Sequence, residues 1–431
     1  MRRSAYAAAL ALLVTGVASV PALAAGTTPT TLAPSDGVGG DLFGESVATS
    51  TTGAVTAVGS PEHNSSGAVY VFTGTGTKFS QNAELTPSNP QADEQFGQTV
   101  SISGNGETLV ASAPGASGTS GSDQGAVYVF SDASGTWTQI AELTAAGTSE
   151  LGTSLAISSD ASTIVAGAPD SNSDAGEAFV FTQSGSTYVE TQKLTEPTTT
   201  SSTDTAATVL TRAGSAAPAA KKPKPTPTPA PTFPAQLGAN TAISSNGSTI
   251  AFGEPEVGVT DVFTKAAGAS TWTQTAQLHG GGDSVAVSSS GTIVAAGQTG
   301  INNLNGAVFV FTESGSTFTT ASEVLPPANT TNAAFGAGAN IGMSSDGSVI
   351  AFGAPTATAG SAFESGEVFV ATETNGTWAL TGTDTEANPV SDDDLGGGDQ
   401  SVAVAGNGSA IVAGARAANG QTGQVEVFPV S

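Results

Sequence analysis

Cysteine is absent from this 431-residue chain. Disulfide frameworks, thiolate zinc sites and cysteine nucleophiles are therefore excluded, and the fold must be held by burial and hydrogen bonding alone. Histidine is nearly absent as well. His63 and His279 have no second histidine at ligand spacing, and no G-x-S-x-G nucleophile elbow accompanies them. His63, in the loop "PEHNSSG", reads as a solvated side chain. Positive charge is scarce: ten Lys and Arg stand against 36 Asp and Glu, a net charge of −26. That balance argues against a nucleic-acid binder and against a partner for anionic lipid. After residue 24 no apolar run approaches the about 20 residues that a membrane span needs.

Glycine and small apolar residues fill the rest. There are 55 Gly, yet 38% of residues are hydrophobic, enough for a real core. At the N-terminus Arg2 and Arg3 precede an uncharged Ala/Leu/Val-rich stretch from Ala5 to Val20, then Pro21 and Ala22-Leu23-Ala24. This order is that of a secretory signal peptide, residues 1–24, cleaved near Ala24. An uncleaved anchor is the other reading, although the stretch is short for a span. The expectation is a secreted, extracellular chain of residues 25–431, with attachment to a bacterial cell surface left open.

One unit recurs along that chain. It opens at Phe43 ("FGESVATS"), Phe96 ("FGQTVSIS"), Leu151 ("LGTSLAIS"), Leu237 ("LGANTAIS"), Gly281 ("GGDSVAVS"), Phe335 ("FGAGANIGMS") and Leu395 ("LGGGDQSVAVA"). The spacings are 53, 55, 86, 44, 54 and 60 residues, and the long one contains a foreign Thr/Pro/Lys-rich insert, 198–234. Each copy then carries an Asn-Gly, Asp-Gly or Ser-Gly type hairpin turn and a second strand ending at a small-residue corner, as in "TIVAGAP". A variable loop leads to a third strand: "GAVYVF" twice, "GEAFVF", "GVTDVF", "GAVFVF", "GEVFVA" and "GQVEVF". A fourth strand follows with an aromatic near its start: Phe79, Trp137, Tyr188, Trp272, Phe318 or Trp378.

Strands two and three are apolar almost throughout, so both of their faces must be covered. The more polar fourth strands suit an outer edge. Four-stranded antiparallel sheets stacked radially are the blades of a propeller, and the copies number seven. The fold expected is all-β, a seven-bladed β-propeller. The seventh copy stops at "GQVEVFPVS" without a fourth strand, while "TTLAPSDGVGGDLFG" precedes the first copy and matches the exit of blade 1, "AELTPSNPQADEQFG". A strand around Thr28–Ala33 is thus expected to complete blade 7 and close the ring. The aromatic of that strand would fall at Gly26, a weaker packing residue.

These residues resemble the FG-GAP repeats of the seven-bladed propeller at the head of integrin alpha subunits, also found in bacterial surface and secreted proteins. The resemblance runs over the whole of 25–431 apart from the insert, with copies four, five and seven degenerate. It implies extracellular ligand binding or adhesion, often helped by calcium. Calcium-binding copies carry a D-x-D-x-D-G-x-x-D loop between the first two strands. Here that place holds "SGNGET", "SSDAST", "SSNGST", "SSSGTI" and "SSDGSV", which cannot supply six to eight oxygens. No metal or cofactor is expected there.

Antiparallel strand order puts the first–second and third–fourth turns on one rim, short and nearly neutral. The second–third loops and the blade crossovers share the other rim, which is long, variable and acidic. Variable loops on a rigid frame are where binding concentrates. The candidate ligand-binding residues are Glu62, Asp123, Asp170, Asp174, Glu254, Glu256, Asp392, Asp393 and Asp394. The bland alternative is that these acids are simply solvated. The insert, with Arg212, Lys221, Lys222 and Lys224, reads either as a basic arm for a polyanion or as a loop of no fixed role. The chain is read as a non-catalytic monomeric module for an extracellular protein or glycan, with no catalytic residues. A polysaccharide-active hydrolase or lyase using rim carboxylates is the alternative.

Overall fold

The computed structural model describes residues 29–117, 123–132, 135–196, 236–302, 305–327, 334–336, 340–386 and 388–430. The leader 1–24, Gly26 and the insert 198–234 lie outside the described residues. Seven sheets, each of four antiparallel strands in chain order, form the blades. Blade 1 runs Val47–Thr49, Val55–Ser60, Ala68–Thr75 and Lys78–Leu85. Blade 4 runs Asn240–Ile243, Thr249–Glu254, Val259–Thr264 and Thr273–His279. Blade 7 takes Val402–Val404, Ala410–Ala415 and Gln424–Pro429 from the C-terminal end and Thr30–Leu32 from the N-terminal end. The strands flanking the insert, Thr187–Leu194 and Asn240–Ile243, belong to consecutive blades.

Burial follows the hydropathy pattern. Second and third strands are buried on both faces, whereas Lys78–Leu85 alternates outward and inward and ends on buried Leu85. The fourth-strand aromatics are packing residues. Tyr188, Trp272 and Trp378 are buried, and Phe79, Trp137 and Phe318 pack half-buried against the cores beside them. Trp272 also donates its indole N–H to Gly247 O at 3.2 Å, fastening the outer strand to its own blade's first hairpin. Each such buried ring contributes about 3–5 kcal/mol relative to alanine.

The FG corner is the joint between blades. Phe96 is fully buried and meets Tyr128 and Phe130 with ring centroids 5.6 and 5.8 Å away. Its backbone forms a parallel bridge to Gly67 of the preceding blade. Gly67 has φ +91°, and a Cβ there would stand 2.1 Å from Phe96 O, so only glycine fits. The same bridge joins Gly125 to Leu151, Gly176 to Leu237, Gly306 to Phe335, Gly366 to Leu395 and, across the closure, Gly423 to Phe43. In four blades the hydroxyl residue of the motif then stitches the blade to the next. Ser46, Thr99, Ser154 and Ser284 donate to Gly97, Gly152, Gly238 and Gly336 carbonyls at 2.9, 3.0, 2.7 and 3.0 Å.

The ring is closed by the N-terminal strand. Thr30, Thr31 and Leu32 lie opposite Val427, Glu426 and Val425, and Leu32 is buried with Phe43 and Val427. The joint at the seam of blades 7 and 1 is thus the same as the five formed within the chain. Inside the ring, the seven first strands surround an axial cavity of about 220 Å³. Gln400 reaches across it, donating to Leu155 O at 3.0 Å.

Candidate functional site: carboxylates on the crossover rim

The two rims differ in what holds their turns. On the hairpin rim the Asn or Asp of five first turns accepts the backbone N–H two residues on: Asn105 from Glu107, Asp160 from Ser162, Asn246 from Ser248, Asp346 from Ser348 and Asn407 from Ser409, at 2.9–3.0 Å. A preceding serine donates to the same oxygen in four of them, as Ser344 does to Asp346 at 2.6 Å. These side chains are committed to local turn closure.

The crossover rim carries the residues singled out in the sequence, and the structure sorts them. Glu62, Asp123, Asp170, Asp174, Glu256 and Asp392 are exposed. Asp123 and Asp170 come together with Glu150 at the seam of blades 2 and 3. Burial, then the charges of Asp170 and Asp123, raise the Glu150 carboxyl above its ordinary range. Asp393 is buried and accepts the Val390 amide at 2.8 Å, as Asp41 and Glu94 accept Val38 and Gln91 two residues before their own FG corners. It is a turn-closing residue. Asp394 accepts from Arg416 Nε at 2.9 Å and is half-buried. Glu254 is buried beneath the rim surface.

Several residues outside that candidate set complete the picture. Arg416 donates from Nη1 to both oxygens of buried Glu45, at 2.8 and 3.1 Å, bridging the seam of blades 7 and 1. Burial, and then Asp399, still raise Glu45 to about 7 against the opposing pull of Arg416. His63 is not solvated. It is 3% exposed, its Nδ1 lies 2.9 Å from Asp41 Oδ2, and its ring stands edge-on to Tyr70. The cause is the tight turn His63–Ser65, with Asn64 at φ +51°, which folds the loop back onto the crossover. Asn64 Nδ2 donates to Nε2 at 2.7 Å, and Asp36, which accepts the Tyr70 hydroxyl at 2.9 Å, lies 3.7 Å from Nε2.

Two seams bury acids without an ion-pair partner among the described residues. Between blades 3 and 4, Glu196, Glu254 and Asp261 converge, with one oxygen of each within 4.8 Å of the others. Between blades 6 and 7, Glu386, Asp393 and Glu426 are all buried. Burial, then Asp393 and Glu426, push Glu386 up. Asp384 beside them is raised to about 6 by burial. Asp261 and Glu426 occupy one position of the repeat, the fourth residue of the third-strand motif, which is Tyr70, Tyr128, Phe179, Phe309 and Phe369 elsewhere. That substitution was legible in "GVTDVF" and "GQVEVF" once the copies are aligned.

The family model for the FG-GAP repeat matches residues 27–72 and 79–130, which hold the closing strand, most of blade 1 and the first three strands of blade 2. The same joint recurs at six of the seven seams of the ring. The chain is an FG-GAP β-propeller. No curated protein matches it. Among solved structures, this FG-GAP propeller is similar to the β-propeller domain of Cps50 (Swd1) from Myceliophteria thermophila, at 10% identity and TM-score 0.54, with 93% of this chain and 100% of that one covered. A candidate 6-phosphogluconolactonase from Bacteroides uniformis is similar at 14% identity and TM-score 0.52, with 83% and 87% covered. At these identities the likeness is one of fold. Among the described residues no helix is long and apolar enough to cross a membrane.

Proposed function

We propose that this FG-GAP propeller is a secreted, non-catalytic binding or adhesion module whose crossover rim takes an extracellular protein or glycan. One observation carries the reading. At the seam of blades 6 and 7, Phe363 and Val390 are 60% and 61% exposed beside exposed Asp392. They are held together by the Asp392 amide donating to Phe363 O and the Phe363 amide donating to Ser391 Oγ, at 3.0 and 3.1 Å. Apolar contact and negative charge are offered together on the rim whose loops vary, which is how recognition surfaces differ from scaffold. The acids of the hairpin rim, such as Asp160 and Asp346, are instead committed to their own turns. The test is a binding screen of the purified chain against peptidoglycan, polysaccharides and immobilised basic proteins, repeated with F363A/V390A. The reading expects a ligand whose affinity falls at least tenfold in the double variant with little change in melting temperature. A screen without any ligand contradicts it.

A second reading is favoured by the carboxyls of Glu254 and Asp261, raised above their ordinary range by burial and by Glu196. An acid held neutral beside other carboxylates is what glycoside hydrolysis requires, and one structural neighbour is itself a candidate hydrolytic enzyme. Release of reducing ends in the same screen would select this reading over the first.

A further inference from the structure

We infer that Glu196, Glu254 and Asp261 form a binding site for one hard divalent cation, calcium in preference to magnesium, at the seam of blades 3 and 4. This is independent of the adhesive reading. The three come from separate elements: the exit of blade 3's fourth strand, the corner after blade 4's second strand, and blade 4's third strand. Their oxygens lie within 4.8 Å of one another. Calcium binds oxygen at 2.3–2.6 Å, so ligands on opposite sides of the ion stand about 4.8 Å apart and those at right angles about 3.4 Å. Oxygens this close can share one ion, and magnesium, which dehydrates reluctantly and keeps several waters, suits a buried shell of protein oxygens less well than calcium does. All three donors are carboxylate oxygens, which suit a hard cation and not zinc.

A second observation points to a ligand. Glu254 is 1% exposed, and no donor reaches its Oε1; the buried Oε1 of Glu196 is equally unpartnered. Such atoms are costly unless something positive meets them. Asp261, fully buried, accepts from Gln274 Nε2 at 2.6 Å and Gln277 Nε2 at 3.1 Å, but among the described residues no Lys or Arg forms an ion pair with any of the three. Rotation of either amide would turn its Oε1 toward an ion.

The repeat itself sharpens the inference. The corner position of Glu254 is Ala113, Ala168, Ala354 and Ala415 in four other blades and Ser60 and Gln298 in two, and the position of Glu196 is Pro87, Ala145 and Pro326 but Glu386 at the seam of blades 6 and 7. Asp261 replaces an aromatic. Only at this seam do carboxylates fill all three positions. Carboxylate ligands bind a cation only when deprotonated, so protons compete with it. This rim is opposite the first hairpins where the family's acidic loops stand, so the two sites are distinct.

The experiment uses the full purified chain, stripped with EDTA, and follows CaCl2 and MgCl2 titrations by calorimetry and thermal melting at pH 8 and pH 5. The expected result is one calcium per chain, with melting raised by several degrees at pH 8 and less at pH 5. E254Q keeps the volume and E254A restores the repeat's own residue; both are expected to fold and to lose the calcium response. E256Q, on the exposed loop next to it, is expected to keep it. No saturable calcium binding at pH 8, or a response that survives in E254Q and E254A, would overturn the site.

Discussion

The seam of blades 7 and 1 and the seam of blades 3 and 4 bury acids on the same rim and neutralise them by different means. At the closing seam Glu45 and Asp394 share Arg416, and Asp41 holds His63. At the other seam Glu196, Glu254 and Asp261 have glutamine amides and one another. The backbone joint is built to one plan, since Gly423 meets Phe43 as Gly176 meets Leu237. The difference teaches that the repeat fixes the joint while the side chains beneath the rim are free to change. One seam is closed by protein cations. The other is left with surplus negative charge for a proton or a bound ion to neutralise.

The largest effect is expected from attacking the shared joint. At Gly423 a Cβ would stand 1.9 Å from Phe43 O, and at Gly125 2.3 Å from Leu151 O, with φ +83° and +79°. Gly423→Ala and Gly125→Ala should each cost about 4 kcal/mol or more, read from urea midpoints. A much milder effect at Gly423 would mean that the closing seam is not equivalent to the internal ones. Next, Arg416→Met leaves Glu45 buried without its cation and should cost about 2–3 kcal/mol at pH 8. The loss should shrink at pH 5, where Glu45 is protonated, and a loss independent of pH would argue against the ion pair.

The third prediction concerns pH. Glu254 and Asp261 hold their protons more tightly folded than unfolded. The native state therefore binds more protons, and stability falls as pH rises. Their contribution is complete below the ordinary carboxyl range and is lost as the pH climbs through neutrality, by up to about 1.4 kcal/mol per unit for each group. In EDTA the urea midpoint should thus fall from pH 5 to pH 8, and E254Q/D261N should flatten that slope. A slope unchanged in the double variant would place the titration elsewhere. The smallest effect is expected from deleting 198–234 between blades 3 and 4. Shortening a connection of this kind changes stability by less than about 1 kcal/mol, and a failure to fold would contradict its place between consecutive blades.

The fold was legible because the same physical demand is repeated seven times. Phe96 and its counterparts, the glycine that admits each of them, and the hydroxyl that stitches one blade to the next recur at fixed spacing. The unpaired last copy, with "TTLAP" in front of the first, announced the closing strand, found at Thr30–Leu32. The acids were less legible. Glu254 and Asp393 look like exposed rim acids in the linear sequence, yet both are buried, one within a carboxylate triad and the other closing a turn. His63 reads as solvated, because nothing local indicates that Asp41, 22 residues earlier, is brought against it by the crossover. What could have been found was the register anomaly: Asp261 and Glu426 stand where five other copies have an aromatic ring.

The closed ring is tested most directly by cysteine pairing, because the chain has no cysteine of its own. Thr31 and Glu426 face each other across the closing pair, with Thr31 Oγ1 donating to Glu426 Oε1 at 2.8 Å. The double variant T31C/E426C, oxidised after folding, should form an intramolecular disulfide in nearly every molecule. Free thiols on a folded chain, or disulfide-linked dimers instead, would show that the N-terminal strand does not complete blade 7.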